Sequence, residues 1–159
     1  MEVMNMPRVM ESKDAISSKE GTLYITIDGK SYEFAEIVKF DATIEYIKAD
    51  VKRVGARMNG SKIVGANGKG NMTYYYHRPE IRAMALEYLR TGKAPMFDAM
   101  LVNADITSAA GKQTAIIKNI VPDSTLIAKL DGDSDDVLKD EVSFTFDDFD
   151  LLDQFKTIN

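Results

Sequence analysis

The chain has 159 residues, 45% of them apolar and 28% charged, with a formal net charge of −5. That size and balance suit one soluble globular domain with a real core, and no window approaches the run of about 18 apolar residues that would cross a membrane, so no membrane anchor is expected. Zero cysteines exclude disulfides, thiol nucleophiles and cysteine-held zinc or iron–sulfur centres, and a single histidine removes most imidazole metal sites.

Residues 1–20 mix four methionines with Ser, Lys, Glu and Asp at no clear period, and carry no basic segment followed by an apolar one. They read as a flexible arm without a secretory leader, which leaves 21–159 as the folded domain. Thr22 to Ile27 alternates, with Leu23, Ile25 and Ile27 on one face, and predicts a half-buried strand. Asp28-Gly29 tolerates positive φ, so the chain is expected to reverse into a second strand from Ser31. Phe40, Ala42, Ile44 and Tyr46 alternate with polar residues, after which the apolar positions shift to Ile47, Ala49 and Val51. Such a change of phase predicts a bulge or a passage between two buried surfaces. Gly55, Gly60, Gly65, Gly68 and Gly70 then punctuate the chain before a β-rich run from Met72 to Tyr76, which together read as a long hairpin with a mobile tip.

Pro79 to Thr91 predicts the one helix: proline at its first position, Glu80 in its first turn, an apolar stripe of Ile81, Met84, Ala85, Tyr88 and Leu89, and Gly92 as C-cap. Strands are expected around Phe97–Asn103, Gln113–Ile120, Thr125–Leu130 and Val142–Phe146, separated by Pro95, Gly111 and Pro122. The fold class is therefore mainly β (α+β), an antiparallel two-sheet sandwich or barrel covered by one helix over about 79–91.

Charge is unevenly placed. Lys48 to Lys69 holds six bases against Asp50, whereas Asp131 to Asp153 holds ten acids against Lys139. Opposite poles of this kind suit nucleic-acid binding at the basic end or contacts between identical subunits. Tyr74, Tyr75 and Tyr76 beside the basic stretch would supply stacking faces for a single-stranded nucleic acid, although Tyr74 and Tyr76 share a face that also suits a core.

Other motifs fail on their decisive positions. Asp131, Asp133 and Asp135 match the start of a calcium loop, but Asp136 stands where its glycine belongs and Val142 where its bidentate glutamate belongs. Gly60 to Gly65 has the spacing of a phosphate loop, yet Ala66 and Asn67 replace its Lys and Ser or Thr. His77 has no nucleophile motif to serve and reads as a junction residue. Asn59-Gly60-Ser61 and Asn71-Met72-Thr73 match a glycosylation pattern short enough to recur by chance.

The order of elements resembles the tail tube proteins of contractile phage tails, in the branch found in defective prophages and R-type bacteriocins of Gram-positive bacteria. The resemblance runs from Ile16 onward and is carried by Ile16–Ile27 with Asp28-Gly29, by Val51–Gly70 around Gly55-Ala56-Arg57-Met58-Asn59-Gly60, by Met84-Ala85-Leu86-Glu87-Tyr88 with Thr91-Gly92-Lys93, and by Ala128–Asp131 with Asp133–Asp136. It implies a single tail-tube domain over 21–159, assembled as six-membered rings that stack into a hollow tube. A long protruding β-hairpin from each subunit would join a multi-subunit β-barrel lining the channel. Implied partners are further copies of the chain, a contractile sheath, a baseplate with its spike, a tape-measure protein and a tail terminator, with DNA in the lumen if the particle is a phage. Assembly would occur in the bacterial cytoplasm, with release on lysis. The resemblance implies no active site, cofactor or metal.

On this reading roughly Glu45–Val54 and Lys62–Tyr75 form the channel hairpin, with Tyr46, Lys48, Asp50, Val51, Lys52, Lys62, Val64, Lys69, Met72 and Tyr74 as lining candidates. Asp131, Asp133, Asp135 and Asp136 are candidates for contact between rings. The alternative is a nucleic-acid-binding β-barrel protein that uses the basic hairpin.

Overall fold

The computed structural model describes residues 11–12, 19, 21–34, 37–75 and 79–155. Its elements run β1 (Gly21–Ile27), β2 (Lys30–Glu33), β3 (Ile37–Val51), β4 (Gly60–Tyr75), α1 (Pro79–Thr91), β5 (Phe97–Ala104), β6 (Lys112–Pro122), β7 (Lys139–Phe146) and β8 (Asp148–Asp153). Every strand pairing is antiparallel, so the chain is mainly β with one short helix. The arm expected over 1–20 falls almost wholly outside the described residues, as do Tyr76 and His77.

The β1–β2 hairpin follows from its sequence. Leu23, Ile25 and Ile27 are buried, and Asp28 (φ 51°) and Gly29 (φ 80°) occupy the left-handed region that a two-residue type I′ turn demands. Hydrogen bonding then runs through one sheet in the order β2-β1-β5-β6-β7-β4-β3, with β8 added to β6. The expected two-sheet sandwich or barrel is one continuous sheet curled on itself, and β6 is the strand that belongs to both halves. Its first part pairs with β5 and β8, while Val121 and Pro122 pair with β7. Between them Asn119 has φ 57°, and its N–H donates to the Asp98 carboxylate at 2.9 Å where the β5–β6 register slips. That carboxylate satisfies an amide turned out of the ladder, which lets the strand bend without leaving that donor unpaired.

The curl brings Leu23, Ile25, Ala99, Ile117 and Ile120 of one half against Met72, Tyr74, Val142, Phe144 and Phe146 of the other. Phe40 stacks on Phe144 with ring centroids 5.4 Å apart, a contact worth about 0.5–1.5 kcal/mol beyond its area. Three expectations change. Residues 124–130 form no strand: Pro122 ends the β6 ladder, no strand among the described residues runs beside them, and Ile127 and Leu130 are exposed. β8 was hidden in the acidic C-terminal run, where Phe149 and Leu151 alternate with Asp148 and Asp150. In α1 only Ile81 and Met84 are buried, so the stripe stops after the second turn and Tyr88 and Leu89 lie exposed.

Candidate assembly interface

β3 and β4 form a hairpin paired from Ile37↔Tyr74 to Val51↔Gly60. At about 3.3 Å per residue the sixteen residues of β4 span roughly 50 Å. β7 covers only Gly68 to Tyr75 of β4, because at Asp147 the chain turns away and β8 joins β6 instead. Beyond Gly68 the hairpin is a two-stranded ribbon, Glu45–Val51 against Gly60–Asn67. A lone two-stranded ribbon is marginal in water, and this one exposes Tyr46, Ile47, Val51, Ile63 and Val64. Among the described residues no strand pairs with the outer edge of β3 or with β4 before Gly68.

Opposed residues of an antiparallel pair share a face, so the register sorts the hairpin into two surfaces. The inner face carries Phe40↔Met72, Ala42↔Gly70, Ile44↔Gly68 and Tyr46↔Ala66. Its glycines have a packing reason: Gly70 lies opposite Phe144 and Gly68 opposite Phe146, and a Cβ on either would overlap the facing ring. Further out this face opens into a groove where Ile44 and Tyr46 look across at Leu101, Phe149 and Leu151.

The outer face carries Lys39↔Thr73, Asp41↔Asn71, Thr43↔Lys69 and Glu45↔Asn67, extended by Glu141, Ser143 and Thr145 of β7. It is polar as far as Glu45, beyond which Ile47, Ala49 and Val51 stand on it. The Asp41 carboxylate accepts the Asn71 N–H at 3.2 Å, and the Ser143 hydroxyl lies 2.7 Å from the Asn71 side-chain oxygen. Lys69 and Glu45 form a 2.8 Å ion pair. That hydrogen bond and the opposed charge hold the Glu45 carboxyl below its usual range and the Lys69 ammonium above its own.

A bulge stands where the apolar positions shift, but β3 itself keeps its alternation, so Ile47, Ala49 and Val51 turn to the outer face. Ile47 pairs with Gly65 and Lys48 with Ile63, which leaves Val64 as the extra residue on β4. The ten lining candidates therefore separate. Tyr46, Lys48 and Asp50 stand on the inner face, Val51, Lys62 and Lys69 on the outer, Val64 in the bulge and Lys52 in the tip. Met72 and Tyr74 are corrected: at 1% and 3% exposure they belong to this subunit's own core and line no surface. Tyr74 is thereby removed as a base-stacking platform, since its hydroxyl donates to Asp140 at 2.7 Å inside the core. Lys39 and Asp41 lie outside the hairpin bounds Glu45–Val54 and Lys62–Tyr75 expected from the sequence, and Glu45 and Asn71 lie inside them without being singled out, although the polar residues at alternate positions from Lys39 to Glu45 are a visible signal.

The tip, residues 52–59, is wholly exposed, with Gly55 at φ 84° and the Arg53 guanidinium donating to the Met58 carbonyl at 3.0 Å. The acidic loop is self-capped: the Asp131 carboxylate accepts the Asp133 N–H, the Ser134 hydroxyl the Asp136 N–H, and Asp136 the Val137 N–H. Asp136 also meets Lys139 at 3.3 Å. The Val137 N–H, with the nearby lysine second, keeps the Asp136 carboxyl below the ordinary range. Asp131, Asp133, Asp135 and Asp136 thus share one exposed loop, at the end of β4 away from the tip.

A chain in the cryo-EM structure of the PVC sheath/tube terminator of an extracellular contractile injection system superposes with a TM-score of 0.64 at 12% identity, covering 90% of this chain and all of that one. At that identity the likeness is one of fold. Two proteins of Bacillus subtilis (strain 168) are each 37% identical: the uncharacterized protein YqbM over 93% of this chain and 97% of its own length, and the phage-like element PBSX protein XkdM over 89% and 93%. The family model described as "Phage tail tube protein" matches residues 8–153, and the chain belongs to that family.

Proposed function

We propose that the protein is the inner-tube subunit of a contractile tail, six copies forming a ring and the rings stacking into a channel that is driven through a bacterial envelope when a surrounding sheath contracts. Family membership makes it a structural component of a phage-like tail particle and not an enzyme. The observation that carries the finer reading is the β3–β4 ribbon, two strands whose outer edges pair with no other strand among the described residues and which have no core of their own. Strand edges of that length are normally covered, and closing them between copies in a barrel removes them. The inner face of the hairpin is occupied at its base by the subunit core, so the outer face, polar as far as Glu45, is the one turned to the channel. There Lys39, Lys62 and Lys69 balance Asp41, Glu45 and Glu141.

The sheath named with the structural neighbour supports a sheath around this tube. By the same reading a baseplate and spike close one end and a terminator the other, a tape-measure protein sets the length, and the particle assembles in the cytoplasm and leaves on lysis. Electron microscopy of concentrated protein tests it, with Val51→Pro beside the wild type. Hollow rods or rings from the wild type, and dispersed folded subunits from the variant, are expected. Dispersed wild-type monomers, or unaltered tubes from the variant, contradict it.

A further inference from the structure

The hairpin tip and the acidic loop carry matched surfaces that one chain cannot bring together. The tip presents Val54 at 108% and Met58 at 77% exposure among Lys52, Arg53 and Arg57, with no acid between them. Among the described residues no carboxylate lies within ion-pair distance of Lys52 or Arg57. The loop presents Leu130 at 95% and Val137 at 62% exposure around Asp131, Asp133 and Asp135, which likewise have no cation at that distance. Each surface therefore joins bare apolar side chains to uncompensated charge of one sign, and the signs are opposite.

Their placement decides how they can meet. Val51 and Gly60 close the hairpin at one end, whereas Lys139, which follows the acidic loop, pairs with Tyr75 at the other. The two surfaces are thus separated by the length of β4, roughly 50 Å. Complementary patches at opposite ends of a subunit make a heterologous contact, and repeating it by translation builds an open stack.

We propose that the tip of one subunit docks on the 127–137 loop of a second copy in the adjoining ring, with Lys52 and Arg57 meeting Asp131, Asp133 and Asp135, and Val54 and Met58 covered by Leu130 and Val137. This rests on the ring-and-tube reading and names the partner of the acidic loop within it. The tip also has the architecture for docking, since the Arg53–Met58 hydrogen bond and the left-handed Gly55 fix its turn before contact.

Electron microscopy and sedimentation of three charge variants test it: Lys52→Glu with Arg57→Glu, Asp131→Lys with Asp133→Lys, and all four together. All the altered side chains lie outside the core, and an unchanged melting temperature verifies folding. Each pair alone is expected to leave rings that do not stack, and the fourfold variant to recover tubes, because the contacts of residues 52 and 57 with residues 131 and 133 then have both signs reversed. Val54→Ser with Met58→Ser, which leaves charge untouched, should shift the ring–tube equilibrium toward rings. Tubes of normal length from either charge pair overturn the proposal, and so does loss of stacking that the fourfold variant fails to restore. Wild-type protein that forms neither rings nor tubes overturns the tube reading itself, a different result from rings that stack regardless of these charges.

Discussion

The Tyr74 hydroxyl donates a 2.7 Å hydrogen bond to the Asp140 carboxylate, tying β4 to β7 at directly opposed positions inside the core. Burial first, then this hydrogen bond and the nearby carboxylate charge, push the Tyr74 phenol well above its ordinary range, with Arg82 opposing. A phenol whose folded-state pKa exceeds the unfolded value of about 10 stabilises the fold fully at neutral pH. The contribution is lost as pH climbs above 10, because the unfolded chain then releases its proton first. Denaturant unfolding between pH 8 and pH 11, taken as round values spanning that ordinary tyrosine range, is expected to show falling stability for the wild type and a flatter profile for Tyr74→Phe. At neutral pH the variant should be about 1–3 kcal/mol less stable, since Asp140, only 9% exposed, loses a donor.

Gly70 sits beneath Phe144 in the cross-strand pair, with the Asp41 carbonyl on its other side. A side chain there must displace the ring that stacks on Phe40. Gly70→Val is expected to cost about 1–3 kcal/mol or more, in the range of overpacked cores. Gly55→Asn, at an exposed left-handed position with open space around it, should leave the melting temperature nearly unchanged. Thermal melts of the two variants side by side check the contrast.

If opposite charges join successive rings, salt should act on the stack before it acts on the fold, because exposed pairs are screened over about 10 Å at 0.1 M salt while core burial is not. Tube length is expected to fall between low and high salt at constant melting temperature of the subunit. Light scattering and calorimetry on the same samples measure the two, and equal sensitivity of both would contradict the charge-mediated contact.

Much of this was legible in the residues. The alternation of Leu23, Ile25 and Ile27, the Asp28-Gly29 turn and the helix bounded by Pro79 and Gly92 appear where local chemistry places them. The shift of apolar positions at Ile47 marks where β4 bulges at Val64 and where β3 turns its apolar side chains to the outer face. What local pattern cannot hold is partnership. Leu126, Ala128 and Leu130 alternate as a strand would, yet no strand among the described residues pairs with them, while acid-rich Asp148–Asp153 pairs because β6 bends past it. The long hairpin likewise reads as one segment in the sequence, although the register divides it: Gly70, Met72 and Tyr74 belong to the core, and only the part beyond Gly68 lacks one.

The central claim is that this outer ribbon is completed by other copies of the chain. Hydrogen exchange of the backbone amides in Glu45–Val51 and Gly60–Asn67, compared between dispersed subunits and assembled tubes, tests it most directly. The outward-pointing amides should exchange rapidly in the subunit and slow strongly on assembly, while those of β1 and β5 change little. Equal exchange of the ribbon amides in both states would contradict it.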